Sequence, residues 1–357
     1  MRVLILALVL VGFAGCLQDD GPFMVAEPEV NSAELLSELF TFSKAYGERA
    51  DNLPAHVEAR DYLAERFQSF GYTLWRQPFE TGLAQENIVG IKWGQVTDEW
   101  VVVGAHYDMA TKDCSAGNQA NQLPEPIAGM IPNCPSRAYS EGAYDDGSGT
   151  IMTMHLAEKF APLTTYYSIA FVAFDGEERG LEGSGAFLEA MIDGNHTFGN
   201  VTIRAMLDLD MIGLNWPGVD VPIYFDSNSA ELQERLRAKA TEMDMPEDAI
   251  KYQGISLGRS DYAHFFRQGI PTGFFISDFE EWQLPNDIPA NGPTSPEGSP
   301  VSSAYPFWHL EDTYETMEMM AGNAGDLETG FQAATQLAAS QLAFMASDVF
   351  LSGQVVE

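Results

Sequence analysis

Ser168-Ile-Ala-Phe-Val-Ala-Phe174, followed at once by Asp175-Gly176-Glu177-Glu178-Arg179-Gly180, decides how the chain is read. An apolar run of strand length stops abruptly at two adjacent glutamates. As a buried strand it delivers both carboxylates to its carboxyl end, where neighbouring side chains in extended backbone project to opposite sides. That alternation predicts one glutamate facing a metal and the other facing water or substrate. Chance alone can pair acids in a chain with 52 Asp and Glu, as Glu280-Glu281 and Asp19-Asp20 illustrate, so the pair acquires meaning only from partners elsewhere.

Working outward, helical and strand patterns alternate. Leu35, Leu36, Leu39, Phe40 and Phe42 have helical spacing behind the capping candidates Asn31 and Ser32, and Ala59, Tyr62, Leu63 and Phe67 mark a second helix ending near Gly71. Strands are expected at 72–75, 87–92 and 100–105, then at 203–209, 221–225 and 272–276. Helices are expected near 149–160, 185–191, 229–242 and 327–350. Two Pro/Gly-rich loops, 109–141 and 278–305, interrupt the pattern; loops of that length in a compact domain are functional or specially restrained. With no internal repeat, the pattern predicts one α/β domain over 31–357, three-layered, with helices on both faces of a central, mostly parallel, mixed sheet.

The 357 residues, 45% hydrophobic, suffice for a sizeable core. A net charge of -34 argues against nucleic-acid binding, because a phosphate backbone would be repelled. Residues 1–15 read as an export signal, with Arg2, an apolar core from Val3 to Val11 and small residues Ala14-Gly15; they are too short for a membrane span. Cys16 follows as in the lipobox of exported lipoproteins, with Phe13 where an aliphatic residue is usual. Residues 16–30 are polar, acidic and proline-containing, and read as a tether. The expectation is an exported monomer, lipid-anchored through Cys16 or secreted. Cys114 and Cys134 then remain as a pair in an oxidising compartment and are expected to be bonded, which is worth about 3 kcal/mol in the chain-entropy model.

Metal-type ligands fall at the predicted strand ends and adjoining loops: His106, Asp145, Glu178, Asp210 and His309. Ligands of an open α/β sheet gather at the carboxyl ends of its strands, so these five can converge. His106 and His309 are two of only six histidines, each beside acidic residues. Two imidazoles favour zinc over magnesium or calcium, while the carboxylates leave manganese or cobalt open.

In motif order the chain resembles the co-catalytic zinc aminopeptidase and glutaminyl-cyclase family of clan MH metallopeptidases, which includes secreted bacterial aminopeptidases. The resemblance runs from about Asn31 to Ala346. It is carried by Gly104-Ala-His106-Tyr-Asp108, Gly142-Ala-Tyr-Asp145-Asp-Gly-Ser-Gly149, Asp175-Gly-Glu177-Glu178-Arg-Gly-Leu181, Asp208-Leu-Asp210-Met-Ile-Gly213, Arg259-Ser-Asp261 and Trp308-His309. It implies that Asp145 bridges two zinc ions, with His106 and Asp210 completing one site and Glu178 and His309 the other. It further implies that Glu177 is the general base, that Asp108 orients His106, and that the Asp145-Asp146 peptide is cis. The activity implied is release of N-terminal residues from peptides. Tyr262 stands where histidine often follows Ser-Asp, and Trp308-His309 also occurs in glutaminyl cyclases. A cyclase-like acyltransferase and a non-catalytic surface-binding protein of the same fold are therefore the alternatives, with two, one or no zinc ions per chain separating the three.

Other histidines carry less. His155, among Met152, Met154 and Leu156, reads as packed; His264 reads as either pocket-lining or ordinary; His56 and His196 read as surface residues. Neither Ser148 nor Ser184 has a base assigned by sequence, which argues against a serine hydrolase, and the absence of a phosphate-binding loop argues against P-loop enzymes.

Overall fold

The computed structural model describes residues 22–50, 53–80, 84–110, 140–214, 223–246, 249–253, 260–277, 282–283, 300–301 and 312–350. Cys16, Cys114, Cys134 and His309 lie outside them, as do the export segment and most of the two long loops.

Eight strands form one mixed sheet: β1 (Thr73–Glu80), β2 (Ala84–Lys92), β3 (Val96–His106), β4 (Tyr167–Phe174), β5 (Thr202–Leu209), β6 (Ile223–Ser227), β7 (Ile250–Gln253) and β8 (Thr272–Ile276). Their order is β1-β2-β4-β3-β5-β8-β6-β7. The centre, β4-β3-β5-β8, is parallel; β1 and β2 add an antiparallel flank, and β6 runs antiparallel to β8. β4 is buried along its whole length, as expected of a central strand covered on both faces.

Alternation along β3 separates two cores. Val101, Val103 and Ala105 join the larger cluster, under α1 (Ser32–Ala45), α2 (Pro54–Ser69), α3 (Gly147–Phe160), α5 (Ala230–Glu242) and α8 (Ala324–Met345). Trp100 and Val102 join the smaller one, covered by α4 (Glu182–Asp193) and Phe265 of the short α6 (Tyr262–Arg267). The result is the expected three-layer α/β/α arrangement. Asn31 caps α1 as its sequence suggests, accepting from the Glu34 N–H at 3.2 Å. Ser229 caps α5 in the same way. A last helix, α7 (Tyr314–Ala321), precedes α8.

Several elements depart from the sequence expectation. Helix α6 has six residues and no side-chain cap, and α7 and β7 are also short, so none offers enough periods to be recognised. Residues 22–30, whose composition suggests part of a tether, lie against the domain. Val25 is buried with its N–H donating to Ser347 Oγ at 2.8 Å, and Glu27 pairs with Arg235 and Lys239. Among the described residues no helix is long and apolar enough to cross a membrane.

Candidate metal centre

Three adjacent parallel strands end together. In the ladder His106 lies opposite Phe174 of β4, and Gly104 lies opposite Asp208 of β5. Residues just beyond these ends therefore share one rim of the sheet: His106 to Asp108, Glu177 and Glu178, and Asp210.

The two glutamates are not on extended backbone, which corrects the strand-end reading. Gly176 turns the chain in the left-handed region (φ 70°), and Glu177–Arg179 form one turn of 3-10 helix. Asp108 fixes this turn, its Oδ1 accepting from Glu177 N at 3.2 Å and its Oδ2 from Glu178 N at 3.3 Å. The turn separates the two acids, as the alternation of a strand was expected to. Glu177 Oε2 lies 4.0 Å from His106 Nε2, while Glu178 Oε1 accepts from Ala110 N at 3.0 Å.

His106 is buried, with Nδ1 3.2 Å from the Asp108 carbonyl and 3.4 Å from its carboxylate. Nδ1–H donating there leaves the Nε2 lone pair facing the centre, the outcome expected when a carboxylate stands behind a ligand imidazole. Nε2 is 3.1 Å from Asp145 Oδ1 and 3.8 Å from Asp210 Oδ1.

The Asp145 loop is held from three directions. Asp312 takes the N–H groups of Tyr144 and Asp145 on its carboxylate, and its own carbonyl accepts from Glu141 N at 2.8 Å. Asp146, joined to Asp145 by a cis peptide, caps α3 by accepting from Gly149 N at 2.8 Å and also accepts from Met211 N at 3.1 Å. Ser148 Oγ donates to the Tyr144 carbonyl and accepts from Ile212 N, so this hydroxyl is structural rather than nucleophilic. A Cβ at Gly149 would sit 2.0 Å from the Leu209 carbonyl. Only glycine there lets the start of α3 approach the end of β5, which brings Asp145 beside Asp210.

His106, Asp145 and Asp210 each offer a ligand atom within 4.8 Å of the others, all three buried. Asp210 Oδ1 is buried without a hydrogen-bond partner. Burial raises Glu177 well above the ordinary carboxylate range; His106 opposes this, while Asp210, Asp261 and Glu178 reinforce it. Asp146 and Asp208 are likewise pushed up, first by burial and then by neighbouring carboxylates. Burial alone would lower His106, but Glu177, Asp108, Asp145 and Asp210 together hold it well above its usual value. So many buried acids around one imidazole need positive charge, and an N/O donor set of this kind fits a zinc-type divalent cation. Of the five ligands expected from sequence, three converge, Glu178 stands on the adjoining turn, and His309 lies outside the described residues.

Two side chains that hold the site were not recognised as site residues from the sequence. His56, read as a surface residue, is buried: Nε2 lies 2.8 Å from Asp175 Oδ1 and its ring stacks on Tyr107. Its position on α2, with Ala59, Leu63 and Phe67 as buried neighbours on the same helix, was the available signal. Arg49, fully buried, donates to the carbonyls of Tyr107, Glu141 and Gly142. Nothing local in the sequence marks it, because the loops it joins are distant along the chain. The remaining histidines take ordinary places. His155 is buried and accepts from Asn31 N, His196 is half-buried against Trp75 and Phe198, and His264 is half-buried beside Gly185.

Known proteins resemble this chain in sequence and in fold. The curated Aminopeptidase YwaD of Bacillus subtilis is 27% identical over 204 residues, 55% of this chain and 36% of that protein, so the match spans little more than a third of the relative's length. Two solved structures share the fold. The zinc aminopeptidase BSAP from Bacillus subtilis superposes with a TM-score of 0.63 at 16% identity, covering 90% of this chain and 96% of that one. The glutaminyl cyclase of Bacteroides thetaiotaomicron gives 0.60 at 17%, covering 88% and 98%. Residues 87–321, well over half of the chain, match the profile of peptidase family M28, and to that family this protein belongs.

Proposed function

We propose that the protein is an exported metallo-aminopeptidase that hydrolyses the N-terminal peptide bond, with a two-zinc centre and Glu177 as its proton carrier. The observation that carries this reading is the position of Glu177: a mostly buried carboxylate on a turn fastened to Asp108, 4.0 Å from the ligand imidazole. A binding module of this fold has no need for a proton carrier held there.

His106, Asp145 and Asp210 would hold one ion; Asp145, Glu178 and His309 would hold a second. When bound, such ions supply Lewis acidity, polarising a carbonyl and acidifying water. The chain's own residues do the rest. Glu177, whose proton affinity is raised chiefly by burial, takes a proton from the attacking water and delivers it to the departing amine. Asp108 keeps both the His106 ring and the Glu177 turn in place, so ligand and base move as one unit. The acidic rim also suits a substrate that presents a free α-ammonium group. Export through residues 1–15, a lipid anchor at Cys16 and a Cys114–Cys134 disulfide belong to the same proposal.

The glutaminyl-cyclase reading stays as the alternative because that fold superposes nearly as well and Trp308-His309 fits it. One experiment separates them: metal-dependent turnover on a panel of aminoacyl amides beside an N-terminal glutamine peptide, with zinc counted per chain. Amide cleavage with two zinc ions is expected. Cyclisation with a single zinc, or cleavage of N-blocked substrates only, would overturn the proposal.

A further inference from the structure

Arg49 follows α1 and is withdrawn completely from solvent. Burying a guanidinium is costly unless its donors are satisfied and its charge is compensated. Its donors go to main chain. Nε reaches the Tyr107 carbonyl at 2.6 Å, Nη2 the Gly142 carbonyl at 2.5 Å and Nη1 the Glu141 carbonyl, while its Cζ lies 4.9 Å from the centroid of the Phe42 ring. Tyr107 separates His106 from Asp108, and Gly142 opens the loop that carries Asp145. The charge is met at a distance by Asp312, Asp146, Asp108 and Asp145, the carboxylates that line or brace the centre.

Neighbouring contacts extend the same junction. Glu48 N donates to the Ser140 carbonyl, Lys44 pairs with Glu141 at 2.6 Å, and the other oxygen of Glu141 accepts from Tyr314 N. Space around the guanidinium is closed: a Cβ on Gly142, which has φ of 54°, would meet Arg49 Nη2 at 3.0 Å. The segment leaving α1 is thus bonded to the His106 loop and to the stretch that opens the Asp145 loop, and Glu141 joins that stretch to Tyr314.

We infer that Arg49 is a positioning residue for the metal centre: its fork fixes the spacing between the His106 and Asp145 loops and sets a permanent positive charge behind their carboxylates. This rests on the metal centre proposed above. Lysine cannot replace the fork, since one ammonium cannot span three carbonyls on two loops.

The test is zinc affinity of the metal-stripped full chain, measured by competition with a chelator for wild type, Arg49→Lys, Arg49→Met and Leu236→Ala. Leu236 is fully buried on α5 and supplies a core defect remote from these loops. Zinc affinity is expected to fall by about 10–100-fold in Arg49→Lys and further in Arg49→Met, and to stay within about twofold in Leu236→Ala at a comparable loss of melting temperature. Equal affinities in Arg49→Lys and wild type, or losses that simply track melting temperature across all variants, would overturn the clamp. If neither Arg49 variant folds, hydrogen exchange on metal-stripped wild type decides: the amides of 143–146 are expected to be protected before zinc is added, and protection that appears only with zinc would overturn it. A wild-type chain that binds no zinc would instead refute the metal centre itself.

Discussion

His56 and Tyr107 stack with ring centroids 5.2 Å apart and hold opposite oxygens of one buried carboxylate, Asp175: His56 Nε2 lies 2.8 Å from Oδ1, and the Tyr107 hydroxyl donates to Oδ2 at 2.7 Å. Tyr107 adjoins the ligand His106, and Asp175 precedes the Gly176 turn into Glu177. The pair therefore couples α2 to both halves of the site. Replacing His56 by leucine leaves Asp175 Oδ1 without its partner, at a cost on the order of 2–3 kcal/mol. Tyr107→Phe should cost about 1 kcal/mol. The double variant should lose less than the sum, because both serve one carboxylate. Thermal unfolding of the two single variants and the double variant measures the coupling; strict additivity would show that the network is not a unit.

Glu177→Gln keeps the size of the side chain and removes its ability to carry a proton. Zinc content should be unchanged, since Glu177 is not among the expected ligands. Turnover should fall by about 10²–10⁴-fold with little change in KM. Near-normal kcat in this variant would remove Glu177 from the mechanism and leave only its electrostatic effect on His106.

Asp108→Asn tests the link between ligand and base. The carboxylate accepts two successive main-chain N–H groups on separate oxygens and also backs the His106 imidazole. An amide can replace one acceptor but turns an NH2 toward the other. Zinc affinity should drop by about 10–100-fold, and kcat should fall as well because the Glu177 turn loosens. A variant with weakened zinc binding but unchanged kcat at saturating zinc would confine Asp108 to the imidazole.

These predictions mark how far the sequence could be read. Periodicity found β3, β4, β5 and β8, because each is a dense apolar run, and motif order supplied His106, Asp145, Asp210 and the two glutamates. Two kinds of feature escaped it. Short elements such as α6 and β7 owe their structure to packing rather than to their own propensity. Residues such as Arg49 and His56 act on loops far away in sequence, and a polar side chain on a helix or at its exit gives no sign of being buried until the fold brings its partners. The turn at Glu177 shows a subtler gap: the two acids were expected to diverge because of strand alternation, but they diverge because Gly176 bends the chain and Asp108 fastens it.

His155 makes stability depend on pH away from the metal centre. It is buried on α3, where its Nε2 accepts the Asn31 N–H at 3.3 Å, an interaction available only to the neutral ring. Burial, together with the charge of Lys159, depresses it to about 4; Glu158 and Glu34 oppose the shift. The sign follows from comparing states. Between the ordinary histidine value near 6.5 and about 4 the unfolded chain binds a proton that the folded chain refuses, so this contribution is complete above pH 6.5 and is lost as pH falls toward 4. The shift corresponds to at most about 3 kcal/mol. His155→Gln should flatten the melting temperature between pH 6.5 and 4.5 relative to wild type, because glutamine can still accept from Asn31 and has nothing to protonate. Parallel pH profiles for the two proteins would show that His155 titrates normally in the folded chain and that acid loosens the structure elsewhere.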